Sequence, residues 1–210
     1  MSLIINIICL VRSENMLLDD MLKFNEAFVK NKQYEGYQTD RFPNKRAVIF
    51  TCMDNRLVDL LPRALNLQNG DVKMVKNAGA MITNHYDSTM KSILVAVYNL
   101  KADEVFVIAH HDCGMSRFQM DNFMDLVRER GISEETIASL EKDPKEWMEG
   151  FVDPEENVKE SVQMIESHPL LPKDVVVHGL VVDPATGKLD LVKRGYHTES
   201  LTSIKQSLLK

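Results

Sequence analysis

Residues 47–56 read AVIFTCMDNR and residues 105–115 read VFVIAHHDCGM. Each opens with five apolar or β-branched residues without polar alternation, the pattern of a strand covered on both faces in a parallel sheet. Each then passes into side chains that carry chemistry: Cys52, Asp54 and Arg56 after the first run, His110, His111, Asp112 and Cys113 after the second. Open α/β sheets bind ligands in crevices beyond the carboxyl ends of their strands, so two such endings in one chain predict one site built from both.

The segments around these two runs are consistent with that reading. Leu18, Met21, Leu22, Phe24, Ala27 and Phe28 recur at helical spacing, followed by a polar loop over 31–45. Residues 57–67 read as a helix that Pro62 must break or restart, and Asn69-Gly70 turns the chain into a short strand over 72–75. A helix over 85–100 precedes the second run. Beyond it, helices are predicted through Phe123 and Val127, after Ser133, and after Asp153-Pro154 with Val158, Val162 and Ile165 facing the core. The runs 175–182 and 189–192 flank the turn Asp183-Pro184-Ala185-Thr186-Gly187, an antiparallel hairpin at the sheet edge. A last helix passes through Leu201, Ile204 and Leu208, and Trp147 reads as core. The fold class expected is α/β: a central, mostly parallel sheet with helices on both faces and an antiparallel edge hairpin.

Composition narrows the function. The chain has 210 residues, 25 Lys plus Arg against 31 Asp plus Glu, and a net charge of -6, with 44% hydrophobic residues. A chain this long folds without disulfides or a structural metal, so a metal would point to chemistry. Mild acidity argues against nonspecific nucleic-acid binding, which depends on clustered cations. The three cysteines, Cys9, Cys52 and Cys113, are too few and too widely spaced for a secreted disulfide framework, which makes a reducing, cytoplasmic setting the expectation. The apolar run 3–11 is too short to span a membrane and lacks the flanks of a signal peptide. Met16 opens a more ordinary beginning, so residues 1–15 are read as an extension of a single domain over 16–210, its apolar run packing on a neighbour or being dispensable.

Thiolates and a neutral imidazole are the ligands zinc prefers, and a catalytic zinc takes three protein ligands and keeps a fourth position open. Cys52, His110 and Cys113 would supply three, with Gly114 expected to tighten the turn. Each piece alone has an ordinary explanation: a strand-end cysteine is a small buried hydrophobe, and two adjacent histidines leave the ligand ambiguous. Side chains two apart in an extended segment share a face, which would place Asp54 and Arg56 beside Cys52. That pair is either a surface ion pair of little value or a switchable carboxylate with its own cation. His85, Tyr86 and His111 are candidates for moving a proton, His178 reads as a satisfied sheet histidine, and Ala185-Thr186-Gly187-Lys188 lacks the context of a phosphate-binding loop.

Cys-x-Asp-x-Arg after one buried strand and His-x-x-Cys-Gly after a second resemble the β-class carbonic anhydrases. The form His110 to Met115 resembles their smaller prokaryotic branch. The match runs from about Met16 to Val192 and includes Lys76-Asn77-Ala78-Gly79, where Lys76 replaces the arginine the family often has. The resemblance implies zinc held by Cys52, His110 and Cys113, with Asp54 and Arg56 as a gating dyad in which Asp54 takes the fourth zinc position or turns to Arg56. It also implies carbon dioxide and bicarbonate as small-molecule substrates, reversible hydration as the reaction, and a homodimer or larger homo-oligomer. Hydrolysis of carbon disulfide or carbonyl sulfide, a non-catalytic zinc protein, and a redox pair of Cys52 and Cys113 are the alternatives.

Overall fold

The computed structural model describes residues 16–196. The expected extension over 1–15 and the terminal helix through Leu201 lie outside the described residues. The chain divides into two compact units after Asp40. In the first, α1 (Leu17–Lys30) carries Asp19 and Asp20 in its first turn and Lys30 in its last, charges that complement the helix dipole, and a 3-10 segment follows at Gln33–Tyr37.

The second unit is built on five strands: β1 (Ala47–Cys52), β2 (Val72–Asn77), β3 (Glu104–His110), β4 (Val176–Val182) and β5 (Leu189–Lys193). Their order across the sheet is β2-β1-β3-β4-β5, parallel except for the antiparallel β4–β5 pair at the edge. All six residues of β1 are buried, as its unbroken apolar run requires. Val48, Phe50, Val105, Val107 and Ile108 are inaccessible to solvent, and each such burial is worth roughly 1.5–3 kcal/mol. From β1 the chain moves to one side to form β2 and then returns to the other side to form β3. The strand order therefore reverses between β1 and β3, and a crevice opens beyond their carboxyl ends.

The surrounding helices are α2 (Leu57–Ala64), α3 (Ser88–Leu100), α4 (Met120–Glu129), α5 (Glu134–Ala138) and α6 (Pro154–Glu166). Two are fixed by their caps. Asp87 accepts from the Met90 N–H at the start of α3, and Asp153 accepts from the Glu155 and Glu156 N–H groups at the start of α6, where Pro154 occupies the first turn. Gly179 lets α6 lie close on β4, because a Cβ there would stand 2.5 Å from Val158 Cγ1. The hairpin turn is held by Asp183, whose carboxylate accepts from the Ala185 N–H and the Thr186 hydroxyl.

Three expectations change. Pro62 lies inside α2 without breaking it, and the helix instead ends at Ala64, because the proline removes one hydrogen bond only two residues before the end. Strand β2 runs on through Lys76 and Asn77, since pairing with Thr51 and Cys52 extends it past its apolar residues. Trp147 is 58% exposed: the short 3-10 segment Pro144–Glu146 before it buries only Pro144.

Candidate metal centre

Cys52 is the last residue of β1 and His110 the last of β3, so the parallel β1–β3 pairing brings them together at the reversal point. Cys113 returns to them around a tight turn. The left-handed backbone of that turn is at Asp112 (φ 53°), a residue type that tolerates it, and not at Gly114, where an added Cβ would meet nothing within 4 Å. The donor atoms of Cys52, His110 and Cys113 all lie within 4.8 Å of one another, all three residues are buried, and the two Sγ atoms are 3.9 Å apart. Among the described residues this is the cluster of His, Cys, Asp or Glu able to hold a metal.

The imidazole settles its own tautomer. His110 Nδ1 is 2.8 Å from the His111 carbonyl oxygen, which can only accept, so Nδ1 carries a proton and the neutral ring presents its lone pair at Nε2. That Nε2 is buried and makes no hydrogen bond. An orphaned buried acceptor between two thiols is costly unless a cation uses it, and two sulfurs with one imidazole nitrogen form a donor set that suits zinc. The thiols are unequal. The sulfur contact with Cys113 draws the Cys52 thiol far below its ordinary range, and the same contact, followed by burial, pushes the Cys113 thiol up.

Beyond Cys52 the chain leaves the strand, so Asp54 and Arg56 meet through a turn and not through strand alternation. The Asp54 carboxylate accepts from the Arg56 backbone N–H at 2.8 Å and, in fork geometry, from its Nε at 3.0 Å and Nη2 at 2.8 Å. This guanidinium holds the Asp54 carboxyl down at about 2. Asp54 Oδ2 is also 3.8 Å from His110 Nε2, so the carboxylate borders the cluster while bound to its cation. Arg56 reaches across to Asp112 as well, donating to its carboxylate at 3.2 Å and to its carbonyl at 2.9 Å.

The sequence of this chain matches the profile of the Carbonic anhydrase family over residues 47–189. YtiB of Bacillus subtilis (strain 168), itself assigned as a carbonic anhydrase, is 52% identical over 184 residues, covering 86% of this chain and 98% of that protein. This chain belongs to the β-carbonic anhydrase family. The solved β-carbonic anhydrase isoform I of Trichomonas vaginalis superposes with a TM-score of 0.79 at 32% identity, covering 87% of this chain and all of that one. A carbon disulfide hydrolase of Acidianus sp. (strain A1-3) is 29% identical over 177 residues, covering 75% of this chain and 84% of that protein.

β-Carbonic anhydrases are zinc enzymes, and the Cys52, His110 and Cys113 group is able to bind that metal. The other candidates are placed elsewhere. His85 Nε2 pairs with the Ser167 hydroxyl at 3.1 Å and its ring packs edge-on against His168, Tyr86 is 93% exposed, and His111 is exposed. His178 is buried as expected, with Nδ1 accepting from the Gly195 N–H and Nε2 lying 3.4 Å from the Glu104 carboxylate. The sequence places Lys76-Asn77-Ala78-Gly79 in a loop but assigns no role to the turn at Ala78–Ala80. There the Gly79 N–H points at Cys52 Sγ, 3.4 Å away, while Asn157 of α6 donates to the Gly79 carbonyl at 3.0 Å. A signal existed: Asn157 and Ser161 each directly precede one of the core-facing valines, Val158 and Val162, on the buried side of α6.

Proposed function

We propose that this protein catalyses the reversible hydration of carbon dioxide to bicarbonate and a proton, with zinc held by Cys52, His110 and Cys113 and with Asp54 and Arg56 as the dyad beside it. The orphaned His110 Nε2 carries the reading, because it is a buried lone pair between two thiols with an ionised carboxylate at its open side. Zinc bound there would supply Lewis acidity, lowering the pKa of a neighbouring water toward about 7 and so providing a nucleophile near neutral pH.

The chain's own residues do the rest. Three protein donors leave one of four positions for a small molecule. Asp54, ionised and acceptor-only, orients the attacking water by accepting its hydrogen bond. Arg56 keeps that carboxylate charged and paired, so the guanidinium would compete with a bound metal for a single anion. Two thiolates donate more charge than imidazoles would, which favours activity on the alkaline side of neutrality. The family relationship also supports assembly into a homodimer, checked by light scattering on the purified chain.

Stopped-flow hydration of carbon dioxide by metal-quantified protein is the test, with rapid turnover expected. Turnover of carbon disulfide or carbonyl sulfide without carbon dioxide hydration would favour the second reading, which the Acidianus relative supports. Inertness toward all three would favour a non-catalytic zinc protein in which Asp54 closes the metal.

A further inference from the structure

Cys52 is held from a direction that the zinc ligands and the dyad do not use. Its Sγ lies 3.4 Å from the backbone nitrogen of Gly79, which donates to it. Gly79 has φ +83°, a left-handed conformation that glycine enters freely but also leaves freely. Its own backbone therefore does not keep that N–H aimed at the sulfur. The restraint comes from α6, 78 residues further along the chain. Asn157, 3% exposed, donates from Nδ2 to the Gly79 carbonyl oxygen at 3.0 Å, which fixes the peptide plane on the far side of the glycine.

One turn later, Ser161 holds the same segment without touching Gly79. Its hydroxyl donates to the Ala80 carbonyl and accepts from the Ile82 N–H, each at 3.3 Å. Asn77 closes the near side through its side-chain bonds to the Met81 N–H and carbonyl. The turn is thus anchored at several points, but the only bond on Gly79 itself among these is that from Asn157.

We infer that Asn157 is a positioning residue for the metal centre: through Gly79 it holds a backbone N–H on the Cys52 sulfur and so sets how much charge that thiolate gives to the metal. The inference rests on the reading of Cys52 as a ligand. An N–H on a thiolate withdraws electron density and stabilises the anion, so losing it makes the sulfur a stronger donor to a bound metal and a better competitor for protons. An apolar residue at 157 leaves the Gly79 carbonyl buried without its side-chain donor and frees the glycine to rotate.

The test uses cobalt(II) in place of zinc in the full chain, because the thiolate-to-cobalt charge-transfer band in the near ultraviolet reads sulfur donation directly. Asn157→Ala should move that band to lower energy and, because the freed turn no longer holds Cys52 in place for the metal, weaken zinc retention against a competing chelator about 10-fold, the lower end for a residue behind a ligand. Ser161→Ala should lower thermal stability while leaving the band where it is in the parent. Asn157→Leu, similar in size and without a donor, should reproduce the shift should the alanine variant fail to fold. A band and zinc affinity identical to the parent's in a folded position-157 variant would overturn the inference, as would an equal shift in Ser161→Ala, which would assign the effect to the turn as a whole. A parent chain that takes up neither metal would overturn the ligand reading and this inference together, an outcome distinct from a loaded parent with unresponsive variants.

Discussion

Replacing Gly79 by alanine perturbs the turn behind Cys52 most sharply, and its size follows from the geometry. A residue with a side chain held at φ +83° pays about 1–2 kcal/mol for the left-handed backbone. The new Cβ would stand 3.1 Å from Met115 Cβ, 3.1 Å from Met115 Cγ and 3.1 Å from Met81 Cγ. Met81 can swing its side chain away, but Met115 Cβ is tied to the backbone that follows Cys113. Relieving that contact means moving the turn that carries Cys113, and overpacking of this kind costs about 1–3 kcal/mol. The two effects together predict a loss of about 2–5 kcal/mol in urea unfolding of the zinc-loaded protein, accompanied by reduced zinc occupancy as the N–H leaves Cys52. Gly114→Ala is the control, since it is closer to Cys113 in sequence yet a Cβ there meets nothing within 4 Å and its φ is not positive. A loss under about 1 kcal/mol for Gly79→Ala with full zinc content, or an equal loss in Gly114→Ala, would refute the reasoning.

Cys113→Ser and His110→Ala should each lose most bound zinc on elemental analysis, while His111→Ala should keep it; loss in His111→Ala alone would move the ligand by one position. Arg56→Ala should keep zinc yet hydrate carbon dioxide roughly 10²-fold more slowly, the effect of misplacing a positioned acid–base group. Unchanged rates across the pH range would reduce Arg56 to an ion-pair residue. Burial, outweighing the nearby Glu104 carboxylate, depresses the pKa of His178 below its ordinary 6.5. The unfolded chain therefore binds the extra proton first, and stability falls as pH drops from about 6.5 toward the lower folded value. His178→Phe should flatten the melting temperature in that window, and a parent curve already flat there would contradict the assignment.

The two strands that end at the cluster were legible because burial on both faces leaves a short local pattern, and their polar endings pointed by residue type to the Cys52, His110 and Cys113 group that the fold brings together. Strand order was not legible. Whether β1 pairs with β3 or with β4 is decided by contacts over 50 residues away in sequence, and only that pairing turns two strand ends into one crevice. The dyad was found for a reason that holds only in part, since Asp54 and Arg56 meet because the chain turns after Cys52 and not because a strand continues. The left-handed freedom that the glycine at 114 suggests is supplied by Asp112. Asn157 escaped notice because its partner lies 78 residues away. Trp147 is exposed against the expectation from its residue type because type predicts burial only on average, and the short segment before it offers little to pack against.

X-ray absorption at the zinc edge of the purified parent tests the central claim most directly, because it reads the donor atoms themselves. The account predicts two sulfurs at about 2.3 Å, one imidazole nitrogen at about 2.0–2.1 Å and a single further light atom. A first shell without sulfur, or with more than two, would contradict it.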